Sequence, residues 1–316
     1  MNIRRSLEKF PPALPYPVFT IGNFDGVHAG HQRILELVCR RASEAGGTAL
    51  VLTFDPHPTR IVAPERAPRL LTPLPIRLEL LEKAGAAGVL VLPFTAELSR
   101  LTPEQFARQI LAERLGAREI IVGENFRFGH KHAGDVTCLA EFGCALGFLV
   151  QTVMPVRMRG EAVSSSRIRQ LLAGGRISLA NRLLGRCFSV RGRIVPGRGI
   201  GRAKTVPTLN LEPYADLLPA RGVYVTETVC DGMRGISVTN LGHSPTIEAR
   251  DLCVECFLLE GAPPPGARRM EVTFWRRLRD ERKFPSPEEL KAQILRDVEA
   301  ARAFFRRLKK PQTAAR

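Results

Sequence analysis

An abrupt change of pattern near the amino terminus constrains the fold more than any other feature of the sequence. The mostly apolar run PVFTIGNF (17–24) passes through the segment DGVHAGH into QRILELVCRRASEA (32–45). The apolar run predicts a buried strand, and the helical periodicity that follows predicts an amphipathic helix. A strand, a glycine-punctuated turn and a helix in direct succession are typical of α/β proteins with a parallel sheet.

The turn places two histidines, His28 and His31, at the predicted start of the helix. Unpaired N–H groups and the positive end of the helix dipole make such a position suitable for an anion. Two histidines there could also be exposed polar residues or helix caps. The surrounding turn favours a phosphate loop, because it supplies Gly22, Asn23, Phe24, Asp25, Gly26 and Gly30. It matches neither the P-loop nor the dinucleotide fingerprint.

Composition limits the class of protein. The chain has 316 residues, which predicts two domains, and a net charge of +16 that would suit phosphates or nucleic acid. We do not expect nucleic-acid binding, because the basic residues are spread out and no reading motif accompanies them. Seven cysteines, no secretory start and no membrane-length apolar run predict a reduced, cytoplasmic protein that does not enter membranes.

Four further apolar runs follow the first, each after a helical pattern. They are TALVLTF (48–54), GVLVLPF (88–94), EIIVG (119–123) and FLVQTVMPV (148–156). Apolar strands alternating with helices predict a Rossmann-like α/β domain with a parallel sheet. Polar segments follow the strands, as expected where such sheets bind ligands. One of these segments contains Asn125, and another contains Ser164, Ser165, Ser166, Arg167 and Arg169, which could be helix caps or a clamp for phosphate oxygens.

The pattern changes near residue 184, where short alternating segments with glycine and proline turns replace the helices. This predicts domains at 1–183 and 184–316, the second an antiparallel β-barrel or sandwich with a terminal helix starting at SPEEL. A glycine-rich loop contributes Gly197, Gly199, Gly201 and Arg202, which could serve a hairpin or bind phosphate. Thr208 and Asn210 lie two residues apart, so their oxygens could share one face of a strand and hold Mg²⁺.

One carboxylate interrupts an apolar strand of the second domain. Glu255 lies within LCVECFLL, where it could be on a solvated face or in a site. If the domain transfers phosphate to an alcohol, a group that positions or deprotonates the hydroxyl is needed, which favours the site. The two cysteines of the same run have the spacing C-x-x-C, but without a second pair we expect packing groups and no zinc site.

Taken together, the motifs resemble those of the bacterial bifunctional riboflavin kinase/FAD synthetase family. GNFDGVHAGH, FDPHP, VGENFRFG and SSSRIR match its first module in order. GRGIGR, VPTLN, LPARGVY, TNLGHSPT, VECFLL and LRDERKF match its second module. The resemblance spans nearly the whole chain, from about Pro17 to Phe305.

The resemblance implies a nucleotidyltransferase domain followed by a barrel-shaped kinase domain. His28 and His31 would bind and stabilise the ATP phosphates during adenylyl transfer to FMN. Asn125 would line the same ATP-binding pocket. Thr208 and Asn210 would hold Mg²⁺ and nucleotide, and Glu255 would be the base for the riboflavin hydroxyl. Riboflavin, FMN and ATP would be the substrates, with Mg²⁺ required, FMN and FAD as products, and an oligomer compatible with the sequence.

Three segments depart from the family pattern in the kinase module. Thr205 and Val206 stand where the family generally has Gly-Phe, and the turn at 261–267 is rich in proline. The segment HSPTIEARDLC leaves Glu248 as an alternative to Glu255. A second hypothesis is therefore an FMN adenylyltransferase with a degenerate kinase domain, and a third is a regulator that binds flavin or nucleic acid.

Overall fold

The computed structural model describes residues 1–7, 14–196, 208–243 and 252–309. The chain divides into two compact units, Met1–Ser165 and Ser166–Arg316, which are described separately. This division assigns the helical segment 166–184 to the second unit. The predicted domain boundary between residues 183 and 184 stays a prediction.

The first unit contains a sheet, several helices and a small hairpin. The sheet strands are β1 (Asn2–Arg4), β2 (Pro17–Ile21), β3 (Thr48–Asp55), β4 (Gly88–Pro93), β5 (Glu119–Gly123) and β6 (Leu149–Val153). The helices are α1 (Ala29–Glu44), α2 (Pro58–Val62), α3 (Leu74–Lys83), α4 (Ala96–Arg100), α5 (Pro103–Gln105), a π-helix (Phe106–Arg114) and α6 (Val136–Leu146), with 3₁₀ turns at Pro64–Arg66 and His130–His132. The hairpin joins β7 (Arg157–Met158) to β8 (Glu161–Ala162).

The six-stranded sheet is parallel throughout, in the order β1-β4-β3-β2-β5-β6. From β2, the chain builds outward through β3 and β4 on one side and through β5 and β6 on the other. The strand order therefore reverses between β2 and β5, and ligands of open α/β sheets bind at this point, beyond the carboxyl ends of the strands. The segments that follow β2 and β5 are 22–28 and 124–129.

Alternate residues of the central strands pack on opposite faces of this sheet. Phe19 and Ile120 belong to a core with the π-helix and α6. Val18 and Ile121 belong to a core with α1 on the other face. Coverage of both faces explains why these strands read as continuous apolar runs, and the predicted parallel sheet is confirmed.

The second unit is an antiparallel barrel with helices before and after it. The strands are β9 (Phe188–Val195), β10 (Leu209–Pro213), β11 (Gly222–Cys230), β12 (Met233–His243), β13 (Leu252–Leu258) and β14 (Arg269–Arg279), and they close in the order β10-β13-β12-β11-β14-β9. The helices are α7 (Ser165–Ala173), which begins at the division, α8 (Ile177–Leu184) and α9 (Pro287–Lys309). The sequence left a barrel or a sandwich open, and the structure is a closed barrel.

The interior of the barrel is partly polar. Thr226 Oγ1 lies 2.7 Å from both Ser237 Oγ and Thr239 Oγ1, and Ser237 Oγ lies 2.7 Å from Thr228 Oγ1. Thr239 Oγ1 also lies 3.2 Å from Cys256 Sγ. All five side chains are fully buried, so they satisfy one another's hydrogen bonds without solvent.

Outside the barrel, the terminal helix α9 covers part of the sheet. Val225, on the outward face of β11, packs with Ala301 and Phe305 of this helix. Trp275 of β14 makes edge-on ring contacts with Phe304 and Phe305 at centroid distances of 6.2 and 5.9 Å. The helix begins as predicted, because Ser286 Oγ accepts a hydrogen bond from Glu289 N at 3.2 Å.

Candidate functional site

The segment after β2 forms a turn whose last residue caps α1. His28 is the N-cap, and its Nδ1 accepts a hydrogen bond from His31 N at 3.4 Å. The turn needs left-handed backbone at Gly26 (φ 84°) and also at Phe24 (φ 49°) and Val27 (φ 39°). Non-glycine residues adopt this region at an energetic cost, which only a well-supported loop tolerates. The helix start therefore lies where the sequence predicted it.

The Asp25 carboxylate holds this turn in place by hydrogen bonds. Its carboxylate is 2% exposed and accepts hydrogen bonds from Leu71 N and Thr72 N, each at 3.0 Å. Thr72 Oγ1 in turn accepts a hydrogen bond from Gly26 N at 3.1 Å. Asp25 was predicted as a phosphate-binding residue, and that role stays untested. Its carboxylate joins the turn to the segment before α3.

The serine–arginine segment predicted as a second phosphate clamp spans the division between the units. Ser164 and Ser165 belong to the first unit, and the residues from Ser166 onward, including Arg167 and Arg169, belong to the second. Ser165 Oγ donates a hydrogen bond to the backbone carbonyl of Asp25 at 2.9 Å. One of the predicted hydroxyls therefore holds the turn.

The two histidines lie against each other. The rings of His28 and His31 stack with centroids 3.7 Å apart and an angle of 15° between their planes. Burial, His28 and the Arg77 guanidinium together lower the pKa of His31 well below its ordinary value of 6.5. Within the described chain, His31 Nδ1 is buried without a hydrogen-bond partner. A buried ring nitrogen without a partner is uncommon in folded proteins and is typical of functional positions.

Arg77 is a site residue that the sequence interpretation missed. This side chain is 1% exposed, and its guanidinium donates to the backbone carbonyl of Asn23 at 2.7 Å and to that of Phe54 at 3.3 Å. The positively charged Arg77 guanidinium is thus buried against the turn, and its hydrogen bond to the backbone carbonyl fixes the position of Asn23. In the sequence, this arginine lies in the helical pattern IRLELLEK, where it is typical of an exposed helix face.

A cleft of about 830 Å³ opens over the carboxyl ends of the strands of the first unit. Gly22, Asn23, Phe24, His28, Gly30 and His31 line it, as does Asn125 from the segment after β5. The structure therefore brings the predicted residues of both segments to one cavity. Aromatic side chains missed by the sequence interpretation also line it, namely Phe54, Phe94, Phe126 and Phe128. They provide apolar surface for a flat ring system.

The second candidate site lies on the barrel. Asn210 of β10 pairs with Glu255 of β13, and Glu255 pairs with Asn240 of β12. Residues directly opposite on neighbouring strands share a face, so the three polar side chains form a row. The neighbours of Glu255 in the strand, Val254 and Cys256, are fully buried in the barrel. The row is therefore on the outer face, where Glu255 is partly buried and Asn210 is 7% exposed.

This row has a polar neighbourhood that the sequence interpretation missed. A Cβ on Gly242 would overlap the Glu281 carboxylate and would lie 3.2 Å from Asn240 Nδ2. The absent side chain of Gly242 therefore makes room for Glu281 beside Asn240. The proximity of Asn240 to Glu255 is visible only from the pairing of β12 with β13, because the two residues are fifteen positions apart in the sequence.

The other predicted kinase residues lie in loops or outside the described residues. Thr208 precedes β10 and is exposed. Gly197, Gly199, Gly201, Arg202, Thr205, Val206 and Glu248 lie outside the described residues. The proline-rich segment 261–267 connects β13 to β14, and Ala267 N donates to Pro264 O at 3.0 Å.

The fold and the two sites define a class, in which a nucleotidyltransferase-like α/β unit with a cleft at its strand ends precedes a closed antiparallel barrel. Family models match both parts: FAD synthetase matches residues 12–167, and riboflavin kinase matches residues 184–305. The chain belongs to the family of bifunctional riboflavin kinase/FMN adenylyltransferases.

Curated relatives support this assignment over nearly the full length. The bifunctional riboflavin kinase/FMN adenylyltransferase of Pseudomonas fluorescens is 38% identical over 310 residues, covering 96% of this chain and 97% of that protein. The protein of the same description from Escherichia coli K12 is 35% identical, covering 91% and 92%. The one from Haemophilus influenzae is 33% identical, covering 96% and 99%.

A solved structure has the same overall fold. It is described as a macrolide-efflux protein from Streptococcus pneumoniae, and it superposes with a TM-score of 0.85 at 25% identity, covering 95% of this chain and 98% of that chain. In the described residues of the present chain, none of the helices combines the length and apolar character that crossing a bilayer requires.

Proposed function

We propose that this chain phosphorylates riboflavin with ATP to give FMN and then adenylylates FMN with a second ATP to give FAD and pyrophosphate. The observation that carries the proposal is the pair of stacked histidines at the start of α1, with an unsatisfied ring nitrogen in a cleft large enough for a nucleotide. Family membership supports it, and we expect the chain to act in the cytoplasm.

In the adenylyl transfer, an oxygen of the FMN phosphate attacks the α-phosphorus of ATP and the bond to the β-phosphate breaks. Negative charge then grows on the departing pyrophosphate. His28 Nδ1 accepts a hydrogen bond from His31 N, so the other ring nitrogen, Nε2, is the one that would donate a hydrogen bond to a phosphate oxygen. The helix start and Arg77 add fixed positive potential, which favours the charged transition state.

In the kinase step, the 5′-hydroxyl oxygen of riboflavin attacks the γ-phosphorus of ATP and ADP leaves. We assign Glu255 as the base that takes the hydroxyl proton, with Asn240 beside it in the row. Thr208 and Asn210 would hold Mg²⁺. Hydroxyl and amide oxygens fit this ion, which binds few protein ligands and keeps phosphate oxygens and water. The bound ion would neutralise charge on the phosphates.

Two variants test the proposal by separating the reactions. Purified chain is incubated with ATP, Mg²⁺ and either riboflavin or FMN, and the flavins are separated by chromatography. Glu255→Gln should reduce FMN formation by about two orders of magnitude or more and leave FAD formation from FMN unchanged. His28→Ala should do the reverse, so that FMN accumulates.

Each variant serves as the control for the other, because the retained reaction shows that the protein is folded. Undiminished FMN formation by Glu255→Gln would remove Glu255 from its role. Formation of FAD only from added FMN by the unaltered chain would identify a degenerate kinase domain. Absence of both products would leave a binding protein.

A further inference from the structure

One part of the cleft in the first unit is cationic and has no role in the reaction steps above. The cleft is lined by Arg100, at the end of α4, and by Lys131 and His132, in the 3₁₀ turn His130–His132. We call these three residues the rim, and two of them, Arg100 and Lys131, carry a positive charge. In the described part of the chain, their side chains make no hydrogen bond or ion pair with another residue.

Residues next to Lys131 and His132 make contacts that hold this part of the chain in place. Arg127 pairs with Asp135 at 3.0 Å, and His130 Nδ1 lies 3.0 Å from the carbonyl oxygen of Ser99. Phe128 is 6% exposed and stacks on Phe126 with ring centroids 5.6 Å apart. The segment is therefore anchored on both sides of Lys131 and His132, whose own side chains take no part in the anchoring.

The backbone of the rim is strained. Lys131 (φ 52°) and His132 (φ 59°) are successive non-glycine residues in the left-handed region. Such conformations persist only where the surroundings enforce them, and they concentrate at ligand-binding segments. The anchoring contacts supply that enforcement. Both residues are exposed and line the cleft.

Two anion-binding ends then share one cleft. The histidine end follows β2, and Lys131 and His132 of the rim follow β5. These strands are hydrogen-bonded neighbours, with Val18 paired to Glu119 and Phe19 to Ile120. The adenylyl reaction joins two phosphate-bearing molecules, and the helix start serves one of them. Riboflavin has the same ring system as FMN but no phosphate, so a separate cationic end distinguishes the two flavins.

We propose that Lys131 and His132, together with Arg100, bind the phosphate of FMN and so select FMN over riboflavin for adenylylation. The inference rests on the proposed adenylyltransferase activity. Lysine suits this task as a mobile point charge with three donors. A dianionic phosphate makes charge-assisted hydrogen bonds, which are stronger than neutral ones.

The test uses Lys131→Met in the full chain, because methionine keeps an unbranched side chain of similar reach without the charge. FAD formation from FMN is measured, with lumiflavin as a competitive inhibitor that carries the ring but neither phosphate nor hydroxyl. We expect the KM for FMN to rise about tenfold or more, corresponding to one lost charge-assisted contact. The KM for ATP and the inhibition constant of lumiflavin should stay unchanged.

Lys83→Met is the matched control, because it removes the same charge from an exposed position that does not line the cleft. Lys131→Arg should restore a KM for FMN near that of the unaltered chain. FMN formation from riboflavin by Lys131→Met should be normal, which reports on folding.

Three results would overturn the inference. A rise in the KM for ATP instead of FMN would assign the rim to the triphosphate. Weaker inhibition by lumiflavin in parallel with the change for FMN would mean that the ring pocket had collapsed. An unchanged KM for FMN would show that the rim does not contact the substrate. Failure of the proposed function itself is separate, because the unaltered chain would then form no FAD.

Discussion

We expect removal of the Asp25 carboxylate to lower the stability of the first unit. Any effect on ATP binding should come from this loss of structure and not from a lost direct contact with ATP. The carboxylate accepts two backbone N–H groups, from Leu71 and Thr72, each at 3.0 Å. These residues are 1% and 4% exposed, so water does not replace the lost acceptor. Each orphaned donor costs about 1–3 kcal/mol, which gives about 2–6 kcal/mol for Asp25→Ala.

That loss is a large fraction of the usual stability of a domain, which is about 5–15 kcal/mol. At about 2–4 °C per kcal/mol for a unit of this size, Asp25→Ala should lower the unfolding midpoint by roughly 5–20 °C. Asp25→Asn keeps the shape and one acceptor oxygen, so it should lose about half as much. Scanning calorimetry of the full chain measures both variants, and FMN formation from riboflavin checks the second unit.

One combination of results would refute a purely structural role for Asp25. If Asp25→Ala unfolds at the same temperature as the unaltered chain while its KM for ATP rises strongly, the carboxylate contacts the nucleotide and does not hold the turn. If the midpoint falls as expected, while Asp25→Asn keeps a nearly normal KM for ATP, Asp25 is a scaffold residue of the phosphate loop.

Two further predictions concern one residue of each unit. Anionic phosphates should raise the lowered pKa of His31, so ATP binding near pH 6 should take up protons. Calorimetric titration in two buffers of different ionisation enthalpy measures this uptake, and His31→Gln should abolish the first unit's share; equal uptake by both proteins would contradict the assignment. In the barrel, a Cβ on Gly192 would overlap the backbone carbonyl of Glu212, so Gly192→Ala should destabilise the fold by about 1–3 kcal/mol, measured by urea unfolding. Gly235→Ala, whose Cβ would lie 3.3 Å from the nearest atom, is the control, and equal stabilities would refute the packing argument.

Local patterns were sufficient to predict the interior of the first sheet. The apolar runs at 48–54 and 88–94 coincide closely with β3 and β4, because strands buried on both faces have no polar positions. The edge strand β1 was missed, since its three residues are exposed and carry no such pattern. The helical pattern expected before the strand EIIVG is present at residues 103–114, but most of it is a π-helix, at the end of which Leu115 N donates to Ile110 O at 3.0 Å.

Residues that act through distant partners could not be found from local patterns. Asp25 binds backbone groups 46 and 47 positions away, and Arg77 binds a carbonyl 54 positions away. Strand alternation in the second unit predicted which residues share a face. It could not show that the inner face would carry interlocking hydroxyls, or that Asn240 would stand beside Glu255, because both depend on strand register.

The adjacency of β2 and β5 has a consequence for how such an enzyme can diversify. Thr72 and Arg77 hold the turn after β2 by hydrogen bonds, whereas Phe128, in the segment after β5, packs against Phe106 and Phe126. The two segments have separate supports although they begin on neighbouring strands. Substitutions after β5 can therefore change one wall of the cleft while the turn after β2 keeps its geometry.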